Sequence, residues 1–286
     1  MSILSQLQSR KLGLVDLLFM GFDVCLDNLQ PILMVLITTW LSAVIISLPL
    51  GLLMIKLFSE VSWQNSPSGL LLALFMALFA TTFLLFSIVL IVILVYFFVG
   101  ISLITDNAVN ERNTSYQSIV NKTISNIIPL FFLGLRFFLN CLLRVLPLLI
   151  PVIISAISDQ LSWLLLIPIF YIATIILILI YAVKNHYYGL AFILRDKKGK
   201  EAFAYSRSLV KGNWWRVFFF GFLVLFVLST LQSAFTMVLS SSPYLNNIWF
   251  TSLAAICYQL VVIGTNIGGI LLFLNLEFQK RKTVTA

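Results

Sequence analysis

The stretch KGNWWRVFFFGF, Lys211 to Phe222, passes from charged residues to a bulky apolar run within six positions. Lys211 and Arg216 suit phosphate and water, Trp214 and Trp215 suit the boundary between headgroups and hydrocarbon, and from Val217 onward the chain is apolar enough to leave water. Gly212 and Asn213 are poor helix formers and permit a change of direction. The stretch reads as a joint at which a helix lying on a membrane surface turns and dives.

The remainder of the chain agrees with that reading. Of 286 residues, 61% are hydrophobic and 10% charged, and the mean hydropathy is +1.07, whereas a soluble domain carries about 25% charged residues. Apolar runs occupy Pro31 to Phe58, Leu70 to Thr105, Ile127 to Ile157, Leu161 to Val183, Val217 to Leu239 and Ile248 to Leu276. Each exceeds the roughly 20 residues that a helix needs to cross hydrocarbon. A bilayer offers no water to loose backbone groups, and the alternating pattern of barrel strands is missing, so every run is expected to be helical. Pro49, Pro129, Pro147, Pro151 and Pro168 mark expected kinks or boundaries. The first run begins too late and runs too long for a cleavable leader, so the N-terminus is expected to be retained. Cys25, Cys141 and Cys257 are far apart, with no CxxC spacing, and read as free thiols.

Positive charge sets the expected orientation. Residues 1–30, 106–126, 184–216 and 277–286 hold 2, 2, 8 and 3 of the 18 Lys and Arg residues, whereas the alternate loops near Glu60, Asp159 and Pro243 hold none. Both termini are therefore expected in the cytoplasm.

Three sets of markers imply an internal repeat. Asn28, Asn126 and Asn213 stand at matching joints in CLDNLQP, TISNIIP and VKGNWWR. YFFVG (Tyr96 to Gly100), NHYYG (Asn185 to Gly189) and NIGG (Asn266 to Gly269) superpose in the same order, and Trp63, Trp163 and Trp249 follow the three outer loops. The expected fold is an all-α integral membrane domain, residues 1–286. It has six transmembrane helices arranged as three pseudo-repeated hairpins, with units at about 12–105, 110–195 and 197–279, each preceded by an interfacial amphipathic helix. In the third unit Phe203, Ser206, Val210 and Trp214 share a helical face, with Glu201, Arg207 and Lys211 elsewhere. Tyr116, Val120, Thr123 and Ile127 form a weaker version, and Leu18, Phe22, Cys25 and Leu29 another.

Lys197 to Leu231 resembles the membrane domain fused to some bacterial glycerophosphoryl diester phosphodiesterases, and the related uncharacterised six-span bacterial inner-membrane families. Ala204, Ser208, Leu209, Asn213 and Trp214 carry the likeness, which is strongest over about 45 residues and whose motif is a joint of low specificity. The resemblance implies a bacterial plasma-membrane protein. It implies no phosphodiesterase activity, because that chemistry belongs to a separate soluble barrel.

Polar groups that converge for catalysis are scarce. His186 is the one histidine and cannot supply a metal set, and no GxSxG elbow or phosphate-cradling GxxxxGK[ST] loop is present. Neither enzymatic activity nor a metal or cofactor is expected. Charges within spans are the best pointers to function. Arg136 and Arg144, with Asn140 between them, lie about 12 Å apart along a helix. Together with Asn266 they form the candidate intramembrane polar pocket, either for an anionic headgroup or for a partner's acid, or else as snorkelling residues. No Asp or Glu lies mid-span, which argues against a carboxylate proton relay. Gly264 and Gly268 give the last span a GxxxG face, for packing within the chain or against another. Lys197, Lys198, Lys200, Arg207, Lys211, Trp214, Trp215 and Arg216 are the candidate headgroup contacts.

These residues point to a non-enzymatic plasma-membrane protein acting as an accessory, scaffold or lipid-interacting component. The alternative is a transporter or permease with its path between the repeats. A lipid-headgroup enzyme using His186 is a third reading, for which an acidic metal site is missing. Expected partners are anionic membrane lipids, with a membrane-protein partner left open; nucleic acid is not expected, since topology alone accounts for the basic segments.

Overall fold

A computed structural model describes residues 2–60, 69–112, 115–158, 165–241 and 247–285. The described residues form eleven α-helices and no β-strand. In chain order they are α1 (Ile3–Ser9), α2 (Leu14–Asp27), α3 (Leu29–Glu60), α4 (Gly69–Val109), α5 (Tyr116–Leu142), α6 (Leu149–Ser158), α7 (Ile167–Lys184), α8 (Tyr188–Arg195), α9 (Lys200–Val210), α10 (Trp214–Ser241) and α11 (Ile248–Thr285). Local chemistry fixes several starts. The Ser2 and Ser115 side chains accept from the backbone N–H groups of Ser5 and Ser118, capping α1 and α5. Prolines divide by position as their missing N–H requires: Pro168 sits in the first turn of α7, Pro147 opens a 3-10 turn at Leu146–Leu148, and Pro151 falls in the first turn of α6. Pro49 and Pro129 lie inside α3 and α5.

Among the described residues, five helices are long and apolar enough to cross a membrane, and six spans result if α2 and α3, bent by 83°, count as one. The described residues build an all-helical fold, and the chain is a multi-pass membrane protein. Large apolar side chains such as Trp40, Ile45, Phe83, Leu84 and Leu225 are exposed along the long helices, as contact with hydrocarbon requires.

Buried residues concentrate where the basic segments gather. Residues 263–277 of α11 form the centre of the bundle, with Ile263, Ile267 and Leu271 to Leu274 fully buried. Around this stretch stand α1, α2, α9, the last turns of α4 and the first turns of α10. At 41 and 38 residues, α4 and α11 are about twice the length a crossing needs. Their surplus length makes the walls of this basic end.

The three asparagine joints differ in form. Asn28 stands at the bend between α2 and α3, its side chain donating to the Val24 carbonyl, and Pro31 cannot restore the helical hydrogen bond beyond it. Asn213 follows Gly212, whose φ of 84° makes the turn from α9 to α10. Asn126, by contrast, lies within an unbroken α5 and donates to the Lys122 carbonyl. No glycine adjoins it to supply the left-handed turn residue that ends α9.

Two of the three glycines of the second marker set, Gly100 and Gly189, stand at close contacts, and Gly269 stands at an ordinary one. A Cβ on Gly100 would stand 3.0 Å from Val35, one on Gly189 3.2 Å from the Phe98 ring, and one on Gly269 3.6 Å from the Phe220 ring. Of the third set, Trp249 is exposed at the start of α11, and Trp63 and Trp163 lie outside the described residues. So do Asp159 and Pro243 of the expected outer loops.

Candidate functional site

The basic end is held by two buried polar clusters. Glu277 of α11, 3% exposed, receives Arg195 Nε at 2.8 and 2.9 Å, Arg195 Nη2 at 2.6 Å, Tyr205 Oη at 2.8 Å and Arg281 Nη2 at 2.8 Å. Asp106 at the end of α4 completes the charge balance, its Oδ1 3.6 Å from Arg195 Nη1. A carboxylate this deep is tolerable because its lone pairs are all engaged by donors, two of them cationic. Burial, followed by the Glu277 charge, pushes the Tyr205 phenol up to about 12. The second cluster centres on Asn275, which donates to the Leu7 carbonyl at 2.8 Å and the Arg10 carbonyl at 3.0 Å. Arg216 donates to Asn275 Oδ1 at 2.9 Å and to the Leu12 carbonyl at 2.5 Å. Together Asn275 and Arg216 tie the α1–α2 segment to α11 and α10. Arg216, expected among the headgroups, is thus turned inward.

A separate cleft of about 240 Å³ opens where α5, α7 and α9 meet. It is lined by Arg136, Asn140 and Arg144, by Tyr181 and Asn185, and by Lys200, Phe203 and Arg207. The stripe i, i+4, i+8 sends the first three to one side of α5. Beyond Leu142 the chain tightens, with Arg144 and Val145 bonding three residues back to Cys141 and Leu142. Arg144 therefore stands in a turn beyond the helix. Its guanidinium lies 3.7 Å from the Tyr181 ring centroid, and its Nη1 donates to the Asn140 carbonyl. Arg136 lies 5.9 Å from the Phe203 ring centroid, and Arg207 Nε donates to the Phe203 carbonyl at 3.3 Å. Aromatic faces orient both α5 arginines without neutralising them. Among the described residues, no carboxylate lies within ion-pair distance of any of the four cations.

Other expected site residues are scattered. Asn266 is exposed on α11, donates to the Val262 carbonyl and takes no part in this cleft. Lys198 and Lys211 are exposed and Lys197 is half-buried. Trp215 is exposed, while Trp214 stacks on Phe218 at 5.3 Å. The apolar face of α9 is packed against protein, with Phe203, Ser206 and Val210 buried, and Ser206 Oγ bridges the Lys184 carbonyl and the Tyr187 N–H. The outer face, with Glu201, Arg207 and Lys211, is exposed.

Gly264 and Gly268 serve contacts within the chain. Here α2 crosses α11 so closely that a Cβ on Gly21 would come 2.5 Å from the Gly264 carbonyl oxygen. His186 stands edge-on to Tyr187 at 4.9 Å and borders an apolar groove between α4, α5 and α8. The thiols of Cys25, Cys141 and Cys257 are free.

Sequence reasoning did not place Lys200 and Arg207 beside Arg136, and it missed the network of Arg195, Asp106 and Glu277 and the pairing of Asn275 with Arg216. A signal was present in Glu277, an acid among the basic residues that close the last span, where topology favours positive charge. No family model, curated protein or solved structure matches this chain.

Proposed function

We propose that this chain is a non-enzymatic plasma-membrane protein of the bacterial inner membrane, an accessory or scaffold component that works against anionic lipid headgroups. The observation that carries the reading is the cleft of Arg136, Arg144, Lys200 and Arg207, a set of cations gathered at the basic end with no carboxylate within ion-pair distance among the described residues. Glu277 and Arg195 are engaged with each other, whereas the cations of this cleft stay open to a ligand.

The finer architecture belongs to the same proposal. Six spans form three hairpin units, supported by the recurrence in one order of YFFVG, NHYYG and NIGG in the sequence. The basic end and both termini face the cytoplasm, supported by the distribution of Lys and Arg. The likeness of Lys197 to Leu231 to phosphodiesterase membrane domains fits a membrane module. The permease reading is less favoured, because Asn266 stands apart from the α5 arginines.

Reporter fusions after Lys198 and at the C-terminus test the orientation, with cytoplasmic signals expected at both. For the role itself, the chain is purified in native lipid and its co-purified lipids and proteins are identified by mass spectrometry. Enrichment of anionic lipid over the surrounding membrane is expected. A lipid complement identical to the bulk, with no partner and no envelope phenotype on gene deletion, would falsify the proposal.

A further inference from the structure

Resting on that reading and naming its ligand, we infer that the cleft between α5, α7 and α9 binds a single phosphate-bearing anion, of a lipid headgroup or free. Four features carry the inference. First, two side chains of α5 and its following turn, Arg136 and Arg144, meet two of α9, Lys200 and Arg207, around one cavity. Charges that repel one another across a space of this size are held together by the fold, and an anion between them relieves the repulsion. Second, the arginines are aimed before any ligand arrives: Tyr181 lies under Arg144, Phe203 under Arg136, and the Phe203 carbonyl anchors Arg207 Nε. Most of their N–H donors remain unspent, and the planar guanidinium fork matches the paired oxygens of phosphate. Third, about 240 Å³ accommodates a phosphate with a few attached atoms and leaves no room for a folded protein segment. Fourth, the depth is right for a headgroup. Tyr181 is three residues short of the end of α7 at Lys184, while Lys200 and Arg207 are exposed at the rim.

Other groups face this site. Asn140 and Asn185 are neutral, and the side-chain amide of Asn185 donates to the Tyr181 carbonyl. Arg207 thereby acquires a role distinct from that of Arg216, although both belong to the same basic segment. One lies open in the cleft, and the other is consumed in holding α1.

The test uses native mass spectrometry of the full chain in detergent, titrated with phosphatidylglycerol, with phosphatidylcholine, or with inorganic phosphate. Wild type is expected to take up one phosphatidylglycerol in preference to phosphatidylcholine. Arg136→Gln with Arg207→Gln should weaken that uptake roughly 30-fold, the loss of two basic contacts near a headgroup. Lys11→Gln with Lys122→Gln removes the same charge at exposed positions outside the cleft and should change it less than about threefold, since solvent and salt screen charges that do not touch the ligand. The pair Arg136→Lys and Arg207→Lys preserves charge and is expected to bind more strongly than the glutamine pair, which separates lost charge from lost folding. If inorganic phosphate displaces the lipid, the cleft takes phosphate from any source; if it does not, the lipid headgroup is the ligand. Equal weakening by the cleft and control pairs overturns this inference while leaving a lipid-interacting protein. Absence of any anionic preference in wild type overturns both readings.

Discussion

Arg195 closes α8 against α11 by laying its Nε between the two carboxylate oxygens of Glu277, at 2.8 and 2.9 Å, across 82 positions of sequence. The same carboxylate receives Tyr205 from α9 and Arg281 one turn further along α11. One buried acid thus fixes three elements, and this makes it the most sensitive point of the basic end. Replacing Glu277 by Ala leaves Arg195 with only its longer ion pair, to Asp106 at 3.6 Å. The expected loss is about 3–5 kcal/mol of unfolding free energy, as for other buried pairs broken on one side. Joint replacement, Glu277→Leu and Arg195→Leu with Asp106→Asn, should cost less than the single change, because no buried charge of the cluster is then left unpaired. Denaturation in mixed micelles measures both.

Tyr205 gives a pH signature. Its phenol is raised to about 12, by burial first and by Glu277 second. In the unfolded chain it ionises near 10. The stabilisation is therefore complete below about pH 10, where both states are protonated, and it is lost as the pH rises towards 12. The ultraviolet difference titration between wild type and Tyr205→Phe should show this late ionisation. In Glu277→Gln the transition is expected to move down, since the charge that opposes phenolate is gone.

Gly21 marks the closest helix crossing. A Cβ there meets backbone atoms of α11, the Gly264 oxygen at 2.5 Å and the Gly268 nitrogen at 2.6 Å, and backbone has no rotamer by which to give way. Gly21→Ala should separate α2 from α11 and cost about 1–3 kcal/mol. Gly221→Ala on α10, where a Cβ meets nothing within 4 Å, is the matched control. It is expected to be neutral, or stabilising by up to about 1 kcal/mol through helix propensity. Thermal unfolding of the two variants in detergent distinguishes them.

Asn275 controls the docking of α1. Asn275→Leu removes the donor to the Leu7 and Arg10 carbonyls and the acceptor for Arg216. The groups left unsatisfied should cost about 1–3 kcal/mol. The local consequence is faster amide hydrogen exchange and proteolysis in residues 3–13, with exchange in α10 above Phe222 unchanged.

Much of the fold was legible because membrane spans are written in long apolar runs. The turn at Gly212 and Asn213 was legible too, from a charge boundary next to a glycine. Within the candidate site, Arg136, Asn140 and Arg144 were readable as one stripe because their spacing follows the helical period. Their α9 partners were not. Arg207 belongs to a segment carrying eight basic residues, and charge counting assigns them all to one end without telling which turns where. Arg216 and Arg207 differ in fate through their neighbours, Asn275 in one case and Phe203 in the other.

By itself, then, the sequence determined that the chain is helical, that it enters the bilayer repeatedly, and which end is basic. Tertiary structure alone decided which faces meet: that α2 crosses α11 at Gly21, that Glu277 gathers Arg195 and Tyr205, and that α9 lays Lys200 and Arg207 beside the α5 arginines. The physical reason is that hydropathy is a local property, set residue by residue through transfer from water. An α11 that is apolar on nearly all sides carries no azimuthal signal, so its partners are selected by close packing and by the pairing of the few polar groups placed along it.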